Sequence, residues 1–309
     1  MGDTLATDFD ERTLQSELDQ KMSSIVNGLI AEPSPVPILY HYTSQAAAQS
    51  ILEKKCFWAT DMFYLNDKQE LEYPIKLVCS ILDEKIAKSD NEDLSLIFRR
   101  LRDAMGEGSS FLRIYGISFS ERADDLSQWR GYGAGSGVAL GFCLNGCSRR
   151  FRLLKVDYSR PSQCALLRTV IEQYVEHCQQ LIAQASPPQR ESIRHLMIQA
   201  FCSRILEMLL RFKAPFWESE TEWRVVEVGF PFDYNNRDIN FRQGAVGLTP
   251  YLEINLDDDD SPYLWSMSLR ELFLGPSVST DMSEYAWKLF LRRNNYHECQ
   301  VIRSLVPLR

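Results

Sequence analysis

Tyr115-Gly-Ile-Ser-Phe-Ser120, followed by Asp124-Asp-Leu-Ser-Gln-Trp-Arg-Gly-Tyr-Gly133, is the stretch on which the fold turns. Residues 111 to 119 read as a strand that ends in small hydroxyl side chains. A short polar turn then opens a helix carrying Ser127, Trp129 and Tyr132. Two aromatics and a serine beside a strand end form either ordinary core or a slot for a flat, polar ring. A second segment, Ile38-Leu-Tyr-His-Tyr-Thr-Ser44, sets a lone histidine at the end of another short apolar strand and favours the slot.

On the N-terminal side, Leu14, Leu18, Met22, Ile25 and Leu29 recur at helical spacing and predict an amphipathic helix. It ends before Pro33-Ser-Pro-Val-Pro37, an extended hinge, so residues 1–37 are read as a packing arm or a partner-binding element. Thr43-Ser44 cap a helix through Lys54, Phe57 to Ala59 return as extended chain, and Asp61 to Asp67 read as a loop. Leu71 to Ala87 and Leu94 to Met105 carry the helical period with charged outer faces, which predicts a helical layer.

On the C-terminal side, Gly131 to Gly137 is a glycine-rich turn without GxGxxG spacing or the lysine of a phosphate loop. Val138 to Cys143 and Phe151 to Tyr158 predict an antiparallel hairpin around Asn145-Gly146. Pro161 to Phe212 carries two long helical patterns split by Ser186-Pro-Pro188, an inserted helical hairpin at about residues 161–213. Trp223 to Val228 reads as a strand, and an extended run before it would put Glu218, Glu220 and Glu222 on one face. Leu248 to Leu256 is a further strand, and Asp257 to Asp260 is a solvated acidic turn lacking calcium-loop spacing. Leu269 to Leu274 is a strand, Asp281-Met-Ser-Glu284 a capping box opening a helix to Arg293, and Cys299 to Val306 the last strand. The class is α+β, with residues 38–309 as one domain.

With 309 residues, of which 45% are hydrophobic, the chain can bury a sizeable core. A net charge of −8 argues against indiscriminate nucleic-acid binding, although arginines cluster at Arg99, Arg100 and Arg102 and at Arg149, Arg150 and Arg152. The eight cysteines lie in apolar patterns with no CxxC pair, as buried free thiols do in a reducing compartment. Cys143 and Cys147 have no histidine near them, so no metal site is expected. Met1 to Asp10 lacks the basic and apolar regions of a secretory signal, and no stretch reaches the length of a membrane span. A soluble protein follows, working in the cytoplasm or delivered into that of a target cell.

His41 in its Leu-Tyr-His-Tyr-Thr-Ser setting, Gly-Ile-Ser-Phe-Ser with the Asp, Trp and Tyr after it, Gly-Val-Ala-Leu-Gly-Phe, Trp217 with Glu220, Glu222 and Arg224, and Leu-Gly-Pro276 occur in this order. From about Ile38 onward the chain thereby resembles a bacterial family catalogued as domain of unknown function 2971. That family is similar to the ADP-ribosyltransferases, which implies a split antiparallel β-sandwich gripping NAD, here with helical layers and the inserted hairpin. His41 matches the histidine of the first core strand, Ser118 stands where the polymerase branch has a tyrosine, and Glu222 matches the catalytic glutamate. Glu220, two residues earlier, resembles the paired-glutamate branch, which begins with arginine where this chain has His41.

The resemblance implies NAD as co-substrate, held by His41, Tyr42, Thr43, Ser118, Ser127, Trp129 and Tyr132, with Glu222, His41 and Glu220 as the catalytic set. The chemistry suits these residue types. Breaking the nicotinamide–ribose bond develops positive charge on the ribose, which a carboxylate stabilises more in the transition state than in the ground state. A neutral histidine can hold a ribose hydroxyl, and an aromatic slot can hold the departing ring. Arg224 and Arg130 serve either as internal ion-pair partners or as pyrophosphate ligands. The acceptor would be a protein, RNA or DNA, as for a bacterial toxin, effector or defence protein with an immunity or antitoxin partner. NAD hydrolysis, RNA phosphate transfer and a degenerate nucleotide- or partner-binding module are the competing functions, the last favoured by Ser118 in the tyrosine position. The discriminating observation is whether His41 and Glu222 converge on one open cleft, and a separation of more than roughly a nucleotide's length would sink the catalytic reading.

Overall fold

The structure, a computed structural model, describes residues 10–30, 35–64, 69–107, 113–133, 136–145, 151–229, 238–244, 247–258 and 265–307. The chain begins with α1 (Glu11–Leu29), β1 (Leu39–Ser44), α2 (Gln45–Lys54), β2 (Cys56–Asp61), a 3-10 turn at Met62–Tyr64, α3 (Gln69–Lys88) and α4 (Glu92–Glu107). It continues with β3 (Arg113–Ser120), α5 (Leu126–Tyr132), β4 (Gly137–Asn145), β5 (Arg152–Lys155), α6 (Arg160–Gln184) and α7 (Pro187–Leu209). After a 3-10 segment at Pro215–Glu220 come β6 (Glu222–Gly229), β7 (Asn240–Gly244), β8 (Gly247–Asn255), β9 (Asp257–Asp258), β10 (Trp265–Leu274), α8 (Asp281–Arg293) and β11 (Gln300–Arg303). These elements sort into a helical unit and a sheet unit.

The helical unit joins residues 1–32, 69–112 and 157–215. Its helices start on strong caps: Asp10 accepts from the Arg12 amide, Ser159 from the Ser162 amide, and Ser186 forms a capping box with Gln189 ahead of α7. The expected hairpin of α6 and α7 does not stand alone. Helix α1 packs on both of its helices, and α4 packs on α7. Leu18, Met22 and Val26 of α1 and Val170, Tyr174, Ala200, Phe201 and Ile205 of the hairpin are buried in this unit. The buried Gln163 side chain accepts from the Tyr73 hydroxyl (2.8 Å) and donates to the Lys213 carbonyl (3.0 Å), tying α3 to the base of the hairpin. Compaction therefore groups residues 1–32 with the hairpin, where the sequence reading set residues 1–37 apart, because the apolar stripe of α1 needs these helices to cover it.

The sheet unit carries eleven strands among the described residues, with main order β11-β10-β4-β1-β3-β2-β8-β7 and with β5 joined to β6 and β6 to β3. The pairing is antiparallel except for β10 with β11, so the open sheet is mixed. The class is thus α+β, as expected. The hairpin expected of residues 138–143 and 151–158 does not form. Both edges of β4 are occupied, one by β1 and the other by β10, and β5 pairs instead with β6. Two further expectations are corrected: the N-cap of α8 is Thr280, which accepts from the Ser283 amide, and Asp257–Asp258 form the short strand β9. Strand β7 was not foreseen.

One face of the sheet is apolar. Leu39, Phe57, Phe119, Leu140, Phe142, Trp223 and Val225 are buried there under Ala48 and Leu52 of α2 and Trp287 and Leu291 of α8. On the other face a smaller cluster holds Tyr40, Tyr42, Ala139 and Trp129. Among the described residues no helix is long and apolar enough to cross a membrane. The described cysteines are free thiols, and burial pushes Cys56 up to about 11 and Cys178, Cys202 and Cys299 up to about 12; Cys147 lies outside the described residues.

The glycine-rich turn answers to packing. A Cβ on Gly137 would stand 2.5 Å from the Thr43 carbonyl oxygen and 2.6 Å from Gly133, and the Gly275 amide donates to the Gly137 carbonyl at 3.0 Å. A Cβ on Gly275 would meet the Trp129 ring at 3.2 Å, which explains the glycine in Leu-Gly-Pro276. Gly137→Ala forces backbone to move, so urea denaturation is expected to show a loss of about 1–3 kcal/mol.

Candidate functional site

Strands β3 and β6 run antiparallel over eight residue pairs, with Ser118 opposite Arg224 and Ser120 opposite Glu222. Residues directly opposite share a face, as do residues two apart along a strand, so Ser118, Ser120, Glu222 and Arg224 project together. Phe119, Trp223 and Val225 turn to the apolar face. Ser118 Oγ donates to Glu222 Oε1 at 2.7 Å. Arg224 forks onto the same carboxylate, Nε to Oε1 at 2.8 Å and Nη2 to Oε2 at 2.9 Å. Glu222 and Arg224 are 5% and 1% exposed, whereas Ser118 is exposed. A buried carboxylate is thus fixed by a bidentate partner and by the hydroxyl of an exposed serine.

Glu220 arrives by a different route. Residues 215–220 form a 3-10 segment, and Thr221 takes φ +43°, in the left-handed region that a β-branched residue strongly disfavours. Alternation therefore fails before Glu222, and the expected common face for Glu218, Glu220 and Glu222 is corrected. The conformation is held from three sides: the Thr221 amide donates to Glu218 O (3.2 Å), its carbonyl accepts from the Glu121 amide (3.1 Å), and its hydroxyl lies 3.3 Å from Ser120 Oγ. Ser120 Oγ also donates to the Glu220 carbonyl at 2.7 Å. Tyr132, 52% exposed, donates its hydroxyl to Glu220 Oε1 at 3.4 Å. Trp217, 37% exposed, lies three residues before Glu220 in the same 3-10 segment, and its ring packs on Phe216 with centroids 5.3 Å apart.

His41 meets this group from the other side. Tyr40 is opposite Ser120, so alternation turns His41 toward the apolar face, where its ring packs on Phe57 (centroids 5.1 Å) and Phe119 (5.7 Å). Its Nδ1 lies 3.0 Å from the Ser118 carbonyl oxygen, which makes Nδ1 the donor and leaves Nε2 as the acceptor of a neutral ring. Burial lowers its pKa, against a smaller upward pull from the Ser118 carbonyl. His41 and Glu222 thus both reach Ser118, one at its carbonyl and the other at its hydroxyl, but from opposite faces of the strand.

The remaining expected ligands build a wall. Tyr42 Oη donates to the Arg122 carbonyl (2.6 Å) and accepts from the Asp125 amide (3.1 Å); its ring lies edge-on to Trp129 at 4.7 Å, and burial raises its pKa. Trp129 is 4% exposed, and its Nε1 donates to Asp124 Oδ1 at 2.7 Å. Asp124 also takes the Ser304 hydroxyl (2.6 Å) and the Leu305 amide (2.8 Å). Ser127 donates its amide and its hydroxyl to the helix-capping Asp125. Thr43 is half-buried on β1, its carbonyl against Gly137. The structure joins Ser118 to Glu222 and Tyr132 to Glu220, and it places Tyr42 on β1 with Ser127 and Trp129 on α5. Ser120 and Thr221 escaped the sequence reading. The hydroxyls of Ser118-x-Ser120 facing Glu222-x-Arg224 were the available signal.

Residues 128–225 match the model of a family described as "Protein of unknown function (DUF2971)". The match supports that family over less than half of the chain, and it takes in Tyr132, Glu220, Glu222 and Arg224. No curated protein and no solved structure matches the chain.

Two outcomes are expected. Because His41 has a folded pKa below its ordinary 6.5, the unfolded chain takes up the proton first, so stability is fully present above about pH 6.5 and falls as the pH drops below it. Urea titrations across that range should show a shallower fall in His41→Asn; His177, depressed in the same direction by burial, keeps part of the slope. Thr221→Gly relieves the left-handed strain and should raise the unfolding free energy by about 1 kcal/mol, read from the same titrations.

Proposed function

We propose that this protein is an NAD-consuming ADP-ribosyltransferase acting on a macromolecule, with Glu222 as the catalytic carboxylate. One observation carries the reading. Strand β1 pairs with β3 at the single position Tyr40–Ser120, while β3 pairs with β6 along its whole length. The sheet is therefore nearly divided between its β1-β4-β10 half and its β2-β3-β6 half; Ser118 of β3 borders that division, and Glu222 on the next strand accepts from its hydroxyl. A sheet so divided, with a glutamate held by the serine that borders the division, supports the split architecture of the ADP-ribosyltransferases that the motif order resembles.

In this reading the nicotinamide–ribose bond breaks, its electron pair leaves with the nicotinamide, and the ribose acquires oxocarbenium character. Glu222 stabilises that charge, and Ser118 and Arg224 keep its carboxylate from reorienting as the charge forms. Glu220, held by Tyr132, orients the acceptor group that attacks the ribose. Tyr132 is the exposed aromatic surface for a flat ring, and Trp129 and Tyr42 form the wall on β1 and α5. His41 acts one step removed, positioning Ser118 through its carbonyl. A role as bacterial toxin, effector or defence protein, with a protein or nucleic-acid acceptor and an immunity or antitoxin partner, belongs to the same reading. The second reading is a nucleotide- or partner-binding module without turnover, favoured by the Arg224 fork, which engages both oxygens of Glu222.

Nicotinamide release from NAD separates them. Turnover by the wild-type protein is expected to fall on the order of a hundredfold or more in Glu222→Gln. Since that variant leaves a buried guanidinium unbalanced, Ser118→Ala serves as a second test, with an expected loss of roughly tenfold and an unchanged circular dichroism spectrum. Stimulation by cell lysate would indicate a macromolecular acceptor, whereas lysate-independent release with free ADP-ribose would indicate hydrolysis. No release by the wild-type protein would replace the transferase reading with the binding module.

A further inference from the structure

Arg242 on β7 is a half-buried arginine of the sheet unit that forms no ion pair with a carboxylate among the described residues. A guanidinium withdrawn from water without a counter-charge is unfavourable unless something else meets it. Its Nη2 donates to Thr60 Oγ1 at 2.6 Å, its Cζ lies 5.7 Å from the Trp58 ring centroid, and its Nε is buried without a hydrogen-bond partner. A second cation, Lys54 Nζ, lies 5.1 Å from the same indole and forms no ion pair among the described residues either. Trp58 in turn lies beside Tyr251, with centroids 4.6 Å apart and planes at 32°. Glu253 stands opposite Trp58 in the register and pairs with neither cation.

Two cations on one indole, with the Arg242 guanidinium anchored to Thr60 through Nη2, suit a group with at least two anionic oxygens. The indole gives that group an aromatic neighbour. We propose that Lys54, Trp58, Thr60 and Arg242 form a binding site for the phosphate of a nucleoside phosphate, with Arg242 as the principal ligand and Trp58 as the surface beside it. The site lies on the face that carries Glu222: Thr60 is opposite Gly116, and Ser118 is two residues further along β3, about 7 Å away. Binding here does not depend on ADP-ribosyl transfer, because it is read without turnover.

The test is binding of AMP and of inorganic pyrophosphate by the wild-type protein, followed by calorimetry and by tryptophan fluorescence at fixed ionic strength. Arg242→Gln is expected to weaken both ligands roughly tenfold or more, and Arg242→Lys by less, since it keeps the charge but loses the fork. Trp58→Phe should remove the fluorescence change, and Glu253→Gln should tighten binding by withdrawing a nearby negative charge. Arg292→Gln, an exposed cation on α8, is the control for diffuse charge. The proposal is overturned if the wild-type protein binds neither probe, if Arg242→Gln binds as well as wild type with an unchanged circular dichroism spectrum, or if Arg292→Gln weakens binding equally. Binding of a single-stranded oligonucleotide without binding of AMP or pyrophosphate would likewise overturn it in favour of a nucleic-acid surface. Loss of AMP binding in Arg242→Gln, in a protein that never releases nicotinamide, would uphold the site while removing the transferase reading.

Discussion

A β-strand has two hydrogen-bonding edges, and β3 gives one of them whole to β6 while dividing the other between β1 and β2. Two strands cannot occupy the same edge positions, so β1 takes Ser120 and β2 takes Tyr115 and Gly116, and the residues between face neither ladder. The Ser118 carbonyl falls in that interval. His41 supplies the donor that a strand neighbour would otherwise give, which accounts for a polar ring among phenylalanines and for its neutral state. The interval also leaves the Ser118 hydroxyl exposed beside a buried carboxylate.

The ion pair below that hydroxyl is a demanding arrangement. Removing a carboxylate and a guanidinium from water is unfavourable, and their attraction offsets it only with good geometry. The short fork from Arg224 and the added Ser118 donor provide that geometry, and the rigid β3–β6 ladder maintains it without further ordering of the chain. Next to it the backbone is forced through a left-handed threonine to present Glu220. The strain lies between two acidic side chains and is held by the Glu218, Glu121 and Ser120 hydrogen bonds.

Local signals made much of the fold readable. The helical period placed α1, α3, α4, α6 and α7, and Ser44 and Ser186 marked helix starts, because these depend on neighbours within a turn or two. Strand partners were less readable. Nothing in the four residues of β5 states that their edge belongs to β6, since that choice is made by occupancy of β4 far along the chain. At the site, Glu222, Ser118 and Tyr132 were legible as residue types at strand ends and on a helix. Glu220 was misplaced because a threonine gives no local sign of a left-handed backbone. Trp129 and Tyr42 were each legible as candidate ligands, but aromatic type alone does not separate an open slot from a wall; burial and the Asp124 and Asp125 hydrogen bonds do.

Asp124 receives the indole of α5 together with Ser304 and Leu305, 180 and 181 residues further on. Contacts of such sequence separation form late, because loop closure must precede any gain from them. During synthesis the wall beside the paired glutamates stays unfinished until nearly the whole described chain has left the ribosome. A nascent chain that has not yet gained Ser304 and Leu305 therefore carries both glutamates without the finished Asp124 cluster.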